Sequence, residues 1–401
     1  MLRSRRYALA GWLVLIVATC FVLTRLGAVW ADAKTLMMSS PVFVLLAFGG
    51  VAAVRGAGRR LAAVALATVL AGGVLASDVV QYHDTDLAPT ARYHELASLD
   101  ARFAGRGPTL FTDFDEYALY QLRDLDIAGP DFLYPPVGLV GIDGGHGGQI
   151  ELSHGRAAAL RAYPLIITRR DPTAVRPPSA YRLLWQGTYY QVWTRRPGAP
   201  PAVARFASLG RTAVRCSRVR AVARVAAAHH GTLVAASPAE VVRINLAAAH
   251  LPAGWKPEAT WYLMSTAGQL ETTFRIPRVG VWNVWLQGEI MPSVQVRVDG
   301  RPAGSIGDQV AGDLVVPDTM TPLPILLSAG RHRLTVTRTG FNLAPGNGGS
   351  AVLSAIFLTP AGAGERQQLL TTTAAQWHHL CGHRYLWVEA VPGRSKRYRQ
   401  G

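Results

Sequence analysis

The stretch Val294-Gln-Val-Arg-Val-Asp-Gly300 decides the fold of the C-terminal half of this chain. Its valines alternate with polar residues, which places the apolar side chains on one face of a β-strand. The Asp-Gly pair at its end is the strongest short-range signal for a hairpin turn. Leu334 and Val336 belong to a second run with the same alternation. Several such strands with glycine-rich turns predict an all-β jelly-roll sandwich over residues 255–362.

The segment before the sandwich, residues 81–198, mixes helix and strand patterns. Thr90–Phe103 has its apolar residues at helical spacing. Short β-type runs lie at Pro108–Thr112 and Tyr163–Thr168, with a helix predicted from Asp113 to Leu125 between them. This order predicts a small α/β domain. The remaining assignments are a helical connector over residues 199–254 and a C-terminal return segment with a basic tail over residues 363–401.

Three apolar segments occupy residues 1–80, at Tyr7–Leu23, Thr35–Val54 and Leu61–Val80. Each is close to the roughly 20 residues that an α-helix needs to cross a bilayer. None carries a charged residue in its middle. The sequence therefore predicts three transmembrane helices, with membrane lipid as a partner.

The positive charges predict the orientation of these helices. Arginines cluster before the first segment and again between the second and third, and such clusters stay on the cytoplasmic side. The N-terminus is then cytoplasmic, and everything after Asp78 is extracytoplasmic at the cell membrane. An alternative stays open, in which Ala28–Ala33 is the cleavage site of a signal peptide and the first segment is removed.

The net charge of +16 raises nucleic acid as a partner, but the distribution of the charge argues against it. Only Lys34, Lys256 and Lys396 are lysines, and the arginines are dispersed along the chain. This usage is typical of a GC-rich genome. We therefore predict no nucleic-acid partner.

Two of the three cysteines, Cys216 and Cys381, lie in the predicted outer region. A cysteine pair in an oxidising compartment predicts a disulfide. This one would close a loop of about 165 residues. The alternative is a pair of free buried thiols.

Acidic residues follow the first predicted strand of the α/β domain, at Asp113, Asp115 and Glu116. Sheet proteins often place their sites at such strand ends, and carboxylates there can act as a base or hold a divalent cation. The alternative is a helix N-terminus, where the dipole favours acidic residues. His378–His383 has a spacing similar to that of metal ligands, but no second cluster completes a four-ligand site, so no metal or cofactor is predicted.

Aromatic and polar residues in the sandwich segment form a candidate glycan site. Trp282 and Trp285 could stack on sugar rings, and Gln287 and Glu289 could bind hydroxyl groups. The alternative is that the indoles fill the sandwich core.

The outer region carries diffuse motifs in common with a group of actinobacterial membrane proteins: Tyr82–Pro89, Arg176–Trp185, Val279–Gly288 and Leu380–Arg384. The chain resembles the C-terminal part of these polytopic proteins, which are similar to GT-C-type glycosyltransferases. The resemblance implies sugar transfer from a polyprenyl-phosphate donor and a carbohydrate-binding-like jelly roll. Such enzymes carry their catalytic carboxylate in the outer loop after the first span. Here that loop is Leu26–Lys34, whose only acidic residue is Asp32.

Three functions remain open from the sequence. The leading one is a membrane-anchored accessory or glycan-recognition protein of envelope polysaccharide synthesis, non-catalytic alone and working with a catalytic membrane subunit. The second is a glycosyltransferase, or its C-terminal fragment, that uses a polyprenyl-linked sugar. The third is a structural envelope protein. The catalytic residue stays unassigned, with Asp32, Asp113, Asp115 and Glu116 as candidates.

Overall fold

A computed structural model describes most of the chain. The described residues are 11–22, 29–84, 90–113, 115, 118–129, 150, 152, 160–258, 261–309, 318–319, 323–340, 351–362 and 366–393. They belong to two compact units, residues 1–84 and 85–401.

The N-terminal unit contains the helices α1 Gly11–Val22, α2 Val29–Gly56 and α3 Arg60–Asp84. Two stretches, Met37–Gly56 and Arg60–Val79, are long and apolar enough to cross a membrane. The helix α1 is apolar but shorter than a span. The rest of the first predicted segment lies outside the described residues. Of the three predicted spans, the second and third therefore correspond to helices long and apolar enough to cross a membrane.

The helix α2 begins before the segment that the apolar pattern predicts. Residues 29–34, expected in an outer loop, are its first helical residues and precede the apolar stretch Met37–Gly56. On α1, the Cys20 thiol lies 3.5 Å from the Ser39 hydroxyl of α2. Asp32 lies in α2, and its side chain is outside the described part of the structure.

The C-terminal unit begins with a five-stranded mixed sheet. Its strands are β1 Thr109–Phe111, β2 Ile127–Ala128, β3 Leu165–Arg169, β4 Tyr181–Gln186 and β5 Tyr190–Arg195, in the order β2-β1-β3-β5-β4. The strand β1 is parallel to β2 and β3, whereas β5 is antiparallel to β3 and β4. The helix α4, Thr90–Phe103, covers one face of the sheet with Leu96, Leu99 and Phe103.

The helix predicted after β1 is much shorter than expected. Among the described residues it is α5, Ala118–Gln121. The Asp100 carboxylate accepts the backbone N–H groups of Asp124 and Leu125, at 3.0 and 3.1 Å. These bonds hold the chain in the turn that leads into β2, so the helix does not continue to Leu125.

A four-stranded antiparallel sheet replaces the predicted helical connector. It contains β6 Ala204–Ala207, β7 Thr232–Ala236, β18 Leu369–Thr373 and β19 Trp387–Val391, in the order β18-β7-β19-β6. The helix α6, Cys216–Ala228, packs Val219, Val222 and Ala226 on one face. A purely helical character for residues 199–254 is therefore wrong. The sequence pattern did not predict β6 and β7. Their partner strands, β18 and β19, come from the C-terminal end of the chain.

The third part of this unit is an antiparallel β-sandwich. Its strands are β8 Val242–Arg243, β9 Trp255–Pro257, β10 Tyr262–Met264, β11 Gly268–Ile276, β12 Gly280–Val298, β13 Arg301–Gln309, β14 Asp318–Thr319, β15 Leu323–Leu327, β16 Gly330–Arg338 and β17 Ala351–Pro360. The first half of β12 pairs with β14, β15 and β17, and its second half pairs with β13 and β16. This long strand thus belongs to both layers.

A glycine allows β12 to bend between the layers. The register of β12 against β17 shifts between Gln287 and Gly288. A Cβ at Gly288 would collide with the carbonyl oxygen of Val352, so a larger residue does not fit there. Such bulges re-aim neighbouring side chains.

The Asp299-Gly300 turn predicted after β12 is confirmed. Both residues have positive φ, 51° and 76°, as the tight turn between β12 and β13 requires. His332 Nδ1 lies 2.7 Å from Asp299 Oδ2, and His332 Nε2 lies 2.9 Å from the Ser328 carbonyl oxygen. Burial lowers the pKa of His332, but its hydrogen bonds to Asp299 and Ser328 outweigh burial and raise the pKa.

This pair predicts a pH-dependent stability. Because the folded-state pKa of His332 is raised, its contribution is fully present below about pH 6.5 and is lost as the pH rises through the folded pKa. The pKa of Asp299 is lowered, so its own contribution is lost only in acid. We expect Asp299→Asn, which keeps the turn, to remove about 0.5–1 kcal/mol of stability near pH 5.5 and little near pH 9. Urea unfolding at both pH values measures this, and an equal loss at each would contradict it.

The predicted disulfide is not formed in the structure. Cys216 begins α6, Cys381 follows the 3-10 helix Ala374–Leu380, and both are free thiols. Burial and the neighbouring Cys216 raise the pKa of the Cys381 thiol to about 11.

Mild oxidation of the full chain is expected to join these thiols. The bond would restrict the unfolded chain and raise the unfolding free energy by about 2–4 kcal/mol. Thiol titration and unfolding with and without reductant measure both effects, and Cys216→Ser should abolish them. An unchanged thiol count after oxidation of a Cys20→Ser background would contradict the expectation.

Candidate functional site

A cavity of about 300 Å³ lies where the five-stranded sheet, the sandwich and the C-terminal segment meet. Polar and apolar side chains both line it, and arginines are the most numerous of its charged residues. The lining residues with a polar group or an aromatic ring are Thr112, Asp113, Thr168, Arg169, Asp171, Arg176, Arg182, Gln186, Gln191, Trp193, Arg196, Gln287, Arg366 and Gln367. The five-stranded sheet and the segment after β3 supply most of the lining, the sandwich supplies Gln287, and the C-terminal segment supplies Arg366 and Gln367.

One wall is the β4–β5 hairpin. Gln191 and Trp193 are two residues apart on β5, so both side chains lie on the same face of the sheet. Gln191 Nε2 donates to Gln186 Oε1 across the hairpin at 2.9 Å. The Trp193 indole donates to Thr168 Oγ1 at 3.2 Å. This bond holds the ring against β3, where it forms an apolar part of the wall.

Asp113 and Arg169 meet at the end of the parallel strands β1 and β3. Parallel strands bring their carboxyl ends to one edge of a sheet, and sites are common there. Arg169 Nε lies 3.7 Å from Asp113 Oδ2, and the Tyr190 hydroxyl donates to the same oxygen at 3.3 Å. Burial and Asp113 raise the pKa of Tyr190, so the phenol stays protonated and remains a donor. Asp113 is therefore fixed in orientation at the cavity surface.

Asp115 does not line the cavity. Its carboxylate forms a buried ion pair with Arg92 of α4 at 2.7 Å and accepts from the Tyr93 hydroxyl at 3.2 Å. Burial and Asp115 raise the pKa of Tyr93. These contacts anchor α4 to the chain after β1. The structure thus separates Asp113 from Asp115, and Glu116 lies outside the described residues.

Arg176 is a lining residue that the sequence analysis did not single out as a site. It is 9% exposed. Its Nη1 donates to the Gln367 carbonyl oxygen at 2.9 Å, and its Nε has no hydrogen-bond partner. The guanidinium lies 5.1 Å from the centre of the Trp193 ring. Burial and the charge of Arg196 lower the pKa of Arg176 to about 10, so it is still charged at pH 7.

A buried ion pair lies behind the cavity wall. Arg205 Nε on β6 is 3.3 Å from Glu389 Oε1 on β19. Glu389 Oε2 also accepts the backbone N–H of Ser179 at 2.9 Å, and Arg205 Nη1 donates to the Leu152 carbonyl at 3.3 Å. The pair therefore ties the four-stranded sheet to the segment that carries Arg176. No motif in the sequence signals it, because its two residues lie far apart in the chain.

The residues predicted to bind glycan do not lie together at one site in the structure. Trp282 and Trp285 are fully buried, at 0% exposure, so neither ring has a free face for a sugar. Both indoles are packed in the interior, as the alternative prediction states. Gln287 lines the cavity. Glu289 pairs through its backbone with Val352, and its side chain is outside the described residues.

The lining groups define what the cavity can bind. Amides, carboxylates and guanidinium groups are planar, and each presents two or more hydrogen-bonding atoms side by side. Groups of this kind suit a small ligand with adjacent hydroxyl or oxyacid oxygens. In the described part of the chain, no group of three or more His, Cys, Asp and Glu residues is arranged to hold a metal ion.

Of the comparisons with known proteins, only the one with solved structures finds similar chains. No protein-family model matches the chain, and no curated protein matches it. A family 35 carbohydrate binding module from Clostridium thermocellum is 13% identical, with 31% of this chain and 100% of that chain covered and a TM-score of 0.24. The module CBM6cm-2 of Cellvibrio mixtus lichenase 5A, in complex with cellotriose, is 16% identical, with 31% and 98% covered and a TM-score of 0.24. Values of this size carry no argument about what this chain binds.

Proposed function

We propose that this chain is a membrane-anchored carbohydrate-recognition protein of the cell envelope, acting beside a catalytic membrane subunit. The observation that carries the proposal is the polar cavity of the C-terminal unit. Four glutamines line it: Gln186, Gln191, Gln287 and Gln367. A glutamine amide has two N–H donors and a carbonyl acceptor, which suits neighbouring sugar hydroxyls. The Gln367 amide nitrogen already donates to the Pro172 and Ala174 carbonyl oxygens, so this residue offers its side-chain oxygen as an acceptor. The cavity volume of about 300 Å³ is at the lower end for ligand sites, which favours one or two sugar residues.

The N-terminal unit supports anchoring. The helices α2 and α3 contain stretches apolar enough to cross a membrane. Arg55 lies at the end of the first stretch, Arg59 between the two, and Arg60 at the start of the second. Arginines in a short loop favour the cytoplasmic side. With this orientation, the cavity would face the compartment where envelope glycans are assembled.

Gln191→Ala is expected to weaken glycan binding about tenfold, because a hydrogen-bonding group is lost from the cavity wall. The measurement is calorimetric titration of the full chain, in detergent, with oligosaccharides released from the source envelope. Gln269→Ala is the matched control, since that glutamine is exposed on the sandwich and bonds to Glu271. No binding by the unaltered chain would sink the proposal.

A second candidate function is sugar transfer, and the position of Asp113 favours it. This carboxylate is the acidic candidate that lines the cavity, whereas Asp115 is held by Arg92. As a general base it would contribute about 10²–10⁴-fold to the rate. Loss of transfer from a polyprenyl-linked donor in Asp113→Asn, with oligosaccharide binding retained, would support catalysis. Normal transfer in that variant would exclude Asp113 as the base.

A further inference from the structure

The cavity carries more positive than negative charge. Five arginines line it, Arg169, Arg176, Arg182, Arg196 and Arg366, against the two carboxylates Asp113 and Asp171. Arg169 lies 3.7 Å from Asp113, so part of its charge is compensated. Among the described residues, no ion pair within 4.0 Å is formed by the other four arginines. Within the part of the chain that the structure describes, the cavity lining therefore has more positive than negative charge.

Arg176 differs from most arginines of the chain because it is buried. Dispersed surface arginines are solvated and lose little by being unpaired. Arg176 is more than nine-tenths buried, and its Nε has no hydrogen-bond partner. Burying a charged group without a counter-ion is costly, and buried charges are normally paired. The charge of Glu389 acts on Arg176, but the ion pair of Glu389 is with Arg205. An external anion in the cavity would therefore compensate the charge of Arg176 more directly.

The arrangement also fits the geometry of an oxyacid. A guanidinium presents parallel N–H donors that match the oxygens of a carboxylate or phosphate. Arg182, Arg196 and Arg366 are exposed, whereas Arg176 is buried, and all four line the cavity. An anion entering from solvent would therefore meet the exposed arginines first and the buried guanidinium of Arg176 behind them.

From these observations we infer that the cavity selects sugars that carry an oxyacid group. This inference rests on the proposed function and adds the charge of the ligand to it. The shared chemistry is an anionic oxygen group on a sugar ring. It has two sources, a uronic acid within the glycan or the phosphate of a sugar phosphate, and a direct comparison of binding distinguishes them.

The test is calorimetric titration of the full chain in detergent with glucose, glucuronic acid and glucose 1-phosphate. We expect at least one anionic sugar to bind ten times more tightly than glucose or better, with the preference falling as salt is raised. The tighter of the two identifies the source. The double variant Arg182→Gln/Arg366→Gln should lose most of this preference.

The matched control is Arg224→Gln, since Arg224 is exposed on α6 and does not line the cavity. It should leave the preference unchanged. Equal affinity for all three sugars would overturn the inference and leave glycan recognition standing. Binding of none of them, together with no binding of the envelope oligosaccharides, would overturn both. Because both substituted arginines are exposed, unfolding of the variant is not expected, and a melting curve checks this.

Discussion

Glu389→Gln is expected to lower the free energy of unfolding by about 3–5 kcal/mol. The substitution leaves the Arg205 guanidinium buried without its counter-ion, and burial already lowers the pKa of Arg205. It also weakens the acceptor that holds the Ser179 N–H. Ser179 is close in sequence to Arg176, so the cavity should loosen as well. Urea unfolding of the full chain, followed by tryptophan fluorescence, measures the loss.

Two further variants test the cause of this loss. Glu240→Gln removes an ion pair with Arg278 whose side chains are 42% and 55% exposed, and it should cost at most about 1 kcal/mol. Arg205→Met/Glu389→Leu removes both buried charges, and its stability should be close to that of the unaltered chain or higher. A loss in Glu389→Gln no larger than that in Glu240→Gln would contradict the burial argument.

Trp285→Ala is expected to cost about 3–5 kcal/mol of stability, because it leaves a large void in a closely packed layer. Trp285 is fully buried, stacks on Phe357 at 6.1 Å and donates to Thr359 Oγ1 at 2.9 Å. Arg170 of the α/β domain lies 5.5 Å from its ring centre. Trp285→Phe keeps most of the volume and should lose less.

The same variant separates the two interpretations of this tryptophan. If Trp285 stacks on sugar, the Trp285→Ala variant should lose glycan affinity and keep its stability. As a core residue, it should lose stability in Trp285→Ala, while Trp285→Phe binds glycan normally. Unfolding and calorimetric titration of both variants give the answer, and unaltered stability of Trp285→Ala would contradict the core assignment.

Local patterns in the sequence were sufficient for much of the secondary structure. The alternation in β12 and β16 gave the strands of the sandwich, and Asp299-Gly300 gave their turn. The apolar runs within α2 and α3 gave two helices that can cross a membrane. These features depend on neighbours within a few residues, and side-chain periodicity records such neighbours directly. The strands β7 and β6 escaped prediction because their partners, β18 and β19, lie more than 130 residues further along the chain.

Only the tertiary structure shows which residues line the cavity and which tryptophans are buried. The alternation in β12 shows that Trp282 and Trp285 lie on opposite faces, but it does not show whether a second layer covers each face. Here both faces are covered, since Trp282 faces the sandwich core and Trp285 faces Arg170 and Phe357. The cavity draws residues from Thr112 to Gln367, whose approach depends on how three sheets pack. Apolar burial drives that packing, and the hydrophobic effect has no direction that a sequence pattern records.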